Sequence, residues 1–459
     1  MRKEVRVIQT AKGHYESTAW KELTPIEMEE VFSYKMCLVN VDSSREYQTI
    51  LGFGGSFTDS SAHLLVKTSA KNRKEIIEAY FDKEKGLAYN MGRTTIGCCD
   101  FSLDPYTFIE EGDVELKTFD MSHDDKELVP LIKEAEALNG KPLKLLCSPW
   151  SPPAFMKSNN DINNGGRLLK KYYKAWAKYL VKYIQGMEER NIPLDMISIQ
   201  NEPAAKQIWA SCKFDSLEEA EFAADYLYPA LKEAGLEKMK ILIWDHNRDL
   251  MYRRVKESMS YPKMDEIVWG FAYHWYCSDK SENLTMVHEQ FPTKHLVFTE
   301  GCVELINQSG STSSKAGIGA WKHGETYGRN IINDFNNFNE AWIDWNLVLD
   351  ETGGPNYVGN YCEAPIHIDT RTDEVSYNWS YYYIGHFSKY IEAGAKRILC
   401  RNDVERRVYS AAFKNPNGDI VVVVQNENNR RNRIGICIDG KGFNTELPAH
   451  SITTFILPA

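Results

Sequence analysis

The 459-residue chain has no apolar run near the ~20 residues that cross a bilayer as a helix. Its first residues, Met1-Arg-Lys-Glu-Val-Arg-Val-Ile8, are basic but lack the apolar stretch of a secretory signal. A membrane bundle is excluded, and a cytoplasmic protein is expected, or a secreted one if the chain is already processed. No Lys/Arg-rich block occurs, and 54 Lys+Arg against 64 Asp+Glu leave a net charge of −10. A phosphate-tracking surface is therefore missing and no nucleic-acid partner is expected, while acidity alone names no other partner. The ten cysteines show no Cys-x-x-Cys or His-x-Cys spacing. They read as reduced, mostly buried thiols, without a disulfide framework or zinc site, and Cys98-Cys99 as one buried and one partly exposed thiol. His246, His274 and His323 lack metal-ligand spacing, so no metal is expected. Gly52-x-Gly54-x-x-Phe57 lacks the third glycine of a dinucleotide fingerprint, and no cofactor is expected.

What is present is a core-forming composition, 43% hydrophobic and 12% aromatic. Short apolar runs recur at Thr49–Ser56, Asn90–Gly97, Leu143–Ser148, Met196–Gln200, Ile241–Trp244, Val268–His274, His295–Thr299 and Trp342–Val348, eight candidate strands separated by longer helical or loop stretches. Between Lys171 and Met187 apolar residues fall on one face of a 3.6-residue period. Ser216-Leu-Glu-Glu219 has the capping-box pattern, with Ser216 as N-cap. Strand and helix alternating eight times predict a parallel (β/α)8 TIM barrel, whose strands are buried on both faces and so do not alternate. From Val404 onward, closely spaced strands with Asn/Gly turns predict a side β-sandwich, built from both chain termini if short runs such as Cys37–Val41 join it. The expected domains are 1–46 and 395–459 for the sandwich and 47–394 for the catalytic barrel.

Reactive groups in such barrels follow the strands at their C-terminal ends. Asn201 and Glu202 follow the fourth run, with Pro203 ending it, and Glu300 ends the seventh. Two carboxyls converging on one mouth are what glycoside hydrolysis requires, one protonating the leaving oxygen and the other attacking the anomeric carbon or activating water. Trp150, Trp209, Trp275, Tyr276, Trp321, Trp342 and Trp345 fall near the predicted strand tops, where aromatic faces can stack on sugar rings. His274 reads as a wall or supporting residue. Cys302, two residues past Glu300, reads as a buried spectator.

Several segments in order, Gly52-Phe-Gly-Gly-Ser-Phe-Thr-Asp59, Tyr89-Asn-Met-Gly-Arg93, Cys99-Asp-Phe-Ser102, Ser148-Pro-Trp150, Gln200-Asn-Glu202-Pro, His274-Trp-Tyr276, Glu300-Gly-Cys302 and Trp342-Ile-Asp-Trp345, resemble glycoside hydrolase family 30, and within it the glucosylceramidase (acid β-glucosidase) branch. The resemblance implies a retaining β-glycosidase, with Glu202 as general acid/base and Glu300 as nucleophile. It implies that Asn201 bonds the sugar 2-hydroxyl, that Tyr276 and Arg93 keep Glu300 ionised, and that Asp59, Trp150 and Trp345 grip the terminal sugar, with Asp344 and Trp342 as further pocket residues. The expected substrate is a small-molecule or oligosaccharide β-glycoside, or a glycolipid, most simply one with terminal β-linked glucose. β-1,6-Glucanase, β-xylosidase and β-fucosidase activities share both carboxylates, and a silent carbohydrate-binding protein is the reading from another class. The Gly/Ser-rich stretch Ser309–Ala320 is expected to shape the leaving-group side.

Overall fold

The computed structural model describes residues 4–13, 20–29, 38–306 and 317–459. The chain divides into two compact units, Met1–Gly52 with Gly319–Ala341 and Tyr377–Ala459, and Phe53–Ile318 with Trp342–Ser376. The greater part of the Ser309–Ala320 stretch, and Cys37, lie outside the described residues.

The second unit is built on a closed parallel barrel of β1 (Gly52–Phe57), β2 (Met91–Ile96), β3 (Lys144–Pro149), β4 (Met196–Ser198), β5 (Lys240–Asn247), β6 (Val268–His274), β7 (His295–Glu300) and β8 (Ala341–Asn346). Each coincides with one of the eight apolar runs. β1, β2 and β8 are buried at every position, because side chains fill the barrel inside and helices cover it outside. Gly54 lets β1 lie close to β2: a Cβ there would stand 2.3 Å from the Met91 carbonyl oxygen. The helix Tyr173–Glu189 buries Trp176, Leu180, Tyr183, Ile184 and Met187, the face its spacing predicts. The capping box is displaced by one residue. Asp215 is the N-cap, reciprocated by Glu218. Ser216 instead donates to Glu257, and Glu219 is buried, accepting from the Trp244 backbone N–H at 2.8 Å. A sequence of acids and serines offers two registers for this motif, and burial of Glu219 selects between them. Cys98 and Cys99 are both buried, correcting the expectation that one is partly exposed; both lie in an apolar cluster with Phe101 and Trp150.

The first unit holds a nine-stranded sheet made of Glu4–Ala11, Lys21–Glu27 and Leu38–Thr49 from the N-terminal side and Lys396–Asn402, Val408–Lys414, Ile420–Asn426, Asn432–Ile438, Lys441–Leu447 and Ser451–Leu457 from the C-terminal side. Val7, Val39, Val422, Ile436 and Phe455 meet in one core, so the sheet curls over on itself as a β-sandwich. The helices Trp321–Asn336 and Trp379–Ser388, expected within the barrel span 47–394, group with this unit. Polar contacts tie them to the sheet: His386 sits between Thr10 and Thr454, and Gln425 donates to the Glu325 carbonyl.

Candidate active site

β4 is three residues long, and past its end the chain is pinned from both sides. The Asn201 N–H donates to the Pro149 carbonyl at 2.8 Å and the Glu202 N–H to the Asp245 carbonyl at 2.9 Å. Glu202 takes a left-handed backbone (φ 47°), uncommon without glycine and held here by those two bonds. On β5 the register against β6 breaks between Trp244 and His246, and Trp244 and Asp245 have φ of 77° and 44°. Such a bulge re-aims a side chain, and Asp245 is directed at the centre of the barrel mouth. Glu300 is the last residue of β7. The glycine after it is required by space, since a Cβ on Gly301 would stand 2.5 Å from Phe298 and 2.9 Å from Trp275.

These strand ends bring one connected set of charges together. Fully buried Arg93 on β2 donates to Glu300 Oε2 at 2.5 Å, to Asn201 Oδ1 at 2.8 Å, to Asp245 Oδ2 at 2.9 Å and to Ser148 at 3.2 Å. The Tyr276 hydroxyl donates to Glu300 Oε1 at 2.9 Å. Asp245 also accepts from Ser198 and from Thr299, and its Oδ1 lies 3.0 Å from His274 Nε2. The other nitrogen of that ring, Nδ1, is 3.2 Å from Glu202 Oε1, and His246 Nε2 is 3.7 Å from the same oxygen. One oxygen of Glu202, one of Glu300 and a nitrogen of His274 all lie within 4.8 Å of one another. Both nitrogens of His274 are engaged and Arg93 already neutralises Glu300, so the donor set suits a proton and not a cation.

Burial pushes the Asp245 carboxyl up, but the Arg93 charge and the His274 and Ser198 hydrogen bonds outweigh it and hold Asp245 well below the usual range. Burial likewise depresses His274, and the negative charges of Glu300, Asp245 and Glu202 reverse this, raising it to about 9. Glu202 is raised by burial and lowered more strongly by His246 and His274, to about 2. Burial raises Glu300; His274 and Arg93 pull it back, Glu202 opposes them, and the net direction is upward. A guanidinium at 2.5 Å and a tyrosine hydroxyl at 2.9 Å favour the ionised form of Glu300 against that rise.

A cavity of about 290 Å³ opens above this set. Trp150 and Trp345 form one wall, their rings stacked at 5.4 Å and 19°, with the Arg93 guanidinium 4.7 Å from the Trp150 ring centre. Asn201, Glu202, Tyr276 and Glu300 also face it. Arg93 and His274 stand behind the lining. Asp59 and Asp344 are not part of it. Asp59 occupies the first turn of the helix Asp59–Lys67, where its charge complements the helix dipole. Its carboxylate accepts from the Leu103 N–H at 3.1 Å and lies 4.0 Å from His123. Asp344 is buried within β8. Trp209 reaches the cavity, whereas Trp342 stacks on Phe298 at 3.7 Å and Trp275 donates to the Cys302 carbonyl. Trp321 belongs to the sandwich unit, where it packs against Trp379.

Other lining residues were given no role from the sequence. Asp100, inside the Cys99-Asp-Phe-Ser102 motif, takes a hydrogen bond from Asn360 at 2.9 Å, and burial with the nearby Glu300 charge pushes it up to about 8. Gln207, His246 and Asn247 line the cavity as well. Asp245 directly follows the run Ile241–Trp244, so the strand-end rule that found Glu300 also reaches it. Asn360 and Cys362 come from a loop after β8; Val303–Ile306 pairs with Tyr361–Glu363, setting Glu304 opposite Cys362. Nothing periodic in the sequence marks that long-range strand pair.

The glycosyl hydrolase family 30 TIM-barrel domain matches residues 50–391, and the beta sandwich domain of the same family matches residues 394–455. The chain belongs to glycosyl hydrolase family 30. It is 30% identical to the lysosomal acid glucosylceramidase of Mus musculus over 91% of this chain and 83% of that protein. It is 28% identical to endo-1,6-beta-D-glucanase BGN16.3 of Trichoderma harzianum over 91% of this chain and 86% of that one. Among solved structures, SrfJ from Salmonella typhimurium superposes with a TM-score of 0.92 at 33% identity, covering 99% of this chain and 100% of that one. This family 30 chain is thus a glycoside hydrolase, and among its described residues no helix is long and apolar enough to cross a membrane.

Proposed function

We propose that this glycoside hydrolase is a retaining β-glycosidase that removes terminal β-linked glucose. The observation that carries the reading is the approach of Glu202 and Glu300 to within 4.8 Å. Retaining enzymes hold their two carboxyl groups ~5–5.5 Å apart, whereas inverting ones need ~6.5–9.5 Å to admit a water. In the first step Glu300 forms a bond to the anomeric carbon, the glycosidic C–O bond breaks, and Glu202 supplies the proton that the leaving oxygen takes. In the second, Glu202 takes a proton from water, the new hydroxyl attacks the anomeric carbon, and the ester to Glu300 breaks.

Asn201, oriented by Arg93, is the donor for the sugar 2-hydroxyl through its amide nitrogen, since its oxygen is already occupied by the guanidinium. Trp150 and Trp345 enclose the ring. Asp100, which lines the cavity, joins Asp59 as an acid proposed to bond the remaining hydroxyls. The volume, at the lower end of the ~300–1,000 Å³ of small-ligand pockets, supports exo action on one terminal sugar. Lys206, Gln207, Asn247 and Glu304 also line the cavity, and their polarity favours a sugar or other polar leaving group over a lipid. That polarity, with the endo-1,6-beta-D-glucanase relative, supports β-1,6-glucan as the second reading.

The test compares kcat/KM on aryl β-glycosides, gentiobiose, laminaribiose and glucosylceramide. Preference for gentiobiose or laminaribiose over glucosylceramide fits the reading. Selectivity for xylosides, fucosides or the lipid overturns the sugar or leaving-group assignment.

A further inference from the structure

Three side chains form a line from the barrel interior to the acid: Asp245 Oδ1, 3.0 Å to His274 Nε2, and His274 Nδ1, 3.2 Å to Glu202 Oε1. Asp245 and His274 are buried, and Asp245 is further fixed by Arg93, Ser198 and Thr299. The geometry settles which protons are needed. Asp245 is an acceptor on every side, so His274 Nε2 must carry a hydrogen and donate. Nδ1 then faces a carboxyl oxygen, and a single proton must lie between them, because two lone pairs at 3.2 Å with no hydrogen would leave a buried contact repulsive.

We propose that His274, held by Asp245, is a positioning residue that stores the proton used by Glu202, so that the acid/base of this enzyme is the Glu202–His274 pair. This rests on the assignment of Glu202 as acid/base. In the resting enzyme the proton resides on Nδ1, giving an imidazolium between two carboxylates. As the leaving oxygen gains charge, the proton passes from Nδ1 to the Glu202 carboxyl, and the carboxyl gives one proton to that oxygen. The pair is then one proton short, with neutral His274 beside ionised Glu202. Water attack restores it: Glu202 removes a proton from water and the proton returns to Nδ1. One proton leaves in the first step and one is regained in the second, so the cycle balances.

The charged and titratable groups facing His274 agree with this resting state. They are Asp245 and His246 from β5, Glu202 beyond β4, Glu300 from β7, Arg93 from β2 and Tyr276 beyond its own strand. Three are anionic, and the Arg93 charge is already shared by Glu300 and Asp245. Burial lowers the imidazole, those anions outweigh it, and the ring is held up at about 9. A pair that keeps one proton across the neutral range is a coupled titration, with apparent values belonging to both groups.

The decisive experiment compares wild type with His274→Gln, which keeps an amide donor toward Glu202 but cannot store a proton. The kcat/KM–pH profile is measured on alkyl and dinitrophenyl β-glucosides. The proposal expects a basic limb near pH 9 in wild type that moves toward acid by about two pH units or more in the variant. Loss on the alkyl glucoside should be about 10²-fold, the lower end for general acid catalysis, with dinitrophenyl glucoside nearly unchanged in that parameter. An unmoved basic limb, or an equal loss on both substrates, overturns the storage role and leaves His274 structural. If His274→Gln does not fold, ¹⁵N NMR of histidine-labelled wild type decides: one imidazolium protonated at both nitrogens and persisting to about pH 9 supports the proposal, and only neutral rings at pH 7.5 refute it. Leaving-group dependence in Glu202→Ala, with an unmoved limb in His274→Gln, removes this inference alone. No leaving-group dependence in Glu202→Ala removes the acid/base assignment itself.

Discussion

Arg93 and Glu300 form a buried ion pair at 2.5 Å, and the same guanidinium holds Asp245 at 2.9 Å. One cation therefore compensates two carboxylates in the barrel mouth, while orienting Asn201 through a third contact. Removing one member of such a set leaves charge buried without a partner. Arg93→Met is expected to cost about 3–5 kcal/mol of stability by urea unfolding and to abolish turnover. Arg93→Lys restores charge but not the planar fork, and should recover stability more than activity. Equal stability of wild type and Arg93→Met would show that the network is not energetically connected.

With Glu300 as the proposed nucleophile, the acid limb of kcat/KM should report its ionisation. Burial and Glu202 place the Glu300 carboxyl above its ordinary 4.5 despite Arg93. Activity should therefore be lost as pH falls through a value higher than that of an isolated glutamate. A pH–rate profile flat down to pH 4 contradicts this.

Asp100 gives a stability signature with a defined sign. Its ordinary value of 3.8 is pushed up to about 8 by burial. Between those values the folded protein holds a proton that the unfolded chain has released, so this group's contribution is full below about pH 4 and is lost as pH rises toward 8. Asp100→Asn should remove that slope, at most about 1.4 kcal/mol per pH unit, and be relatively more stable at pH 8 than at pH 5. Its kcat/KM should fall with little change in fold. Thermal melts across pH 4–8 compare the two proteins.

Lys157 pins the loops next to Gln207 and Trp209 at the cavity. Its buried ammonium donates to the carbonyls of Asp161, Ile162 and Ser211 at 2.6, 2.9 and 2.7 Å, and the Ser211 hydroxyl in turn takes the Gln207 N–H at 3.2 Å. Lys157→Met strands these carbonyls, at about 1–3 kcal/mol for each one left buried and unpaired. We expect KM to rise more for disaccharides than for aryl glycosides, if Gln207 and Trp209, which line the cavity, contact the second sugar. Equal KM changes on both substrates would place the effect elsewhere.

The barrel was legible because its strands are buried on both faces and so appear as uninterrupted apolar runs. Strand-end position then reached Glu202 and Glu300, and motif order reached Arg93, Trp150, Asn201, Tyr276 and Trp345. What remained hidden depends on geometry that no period records. Strand-end position also reaches Asp245, but its inward turn rests on a bulge, a one-residue event in an apolar strand. Asp59 is reached through its motif, whereas Asp100, inside Cys99-Asp-Phe-Ser102, is brought to the cavity lining by the tertiary fold. The register of the Asp215 cap and the long-range pairing of Val303–Ile306 with Tyr361–Glu363 are tertiary outcomes. Trp321 was drawn to the site by composition alone, whereas its helix belongs with the sandwich strands.

The central claim, that Glu202 and Glu300 stand at the spacing of a double-displacement pair, is tested most directly by ¹H NMR of the first sugar released from an aryl β-glucoside, read before mutarotation. The account predicts β-glucose as the initial product. Initial α-glucose would mean inversion at the anomeric carbon and would contradict the assignment of Glu300 as nucleophile.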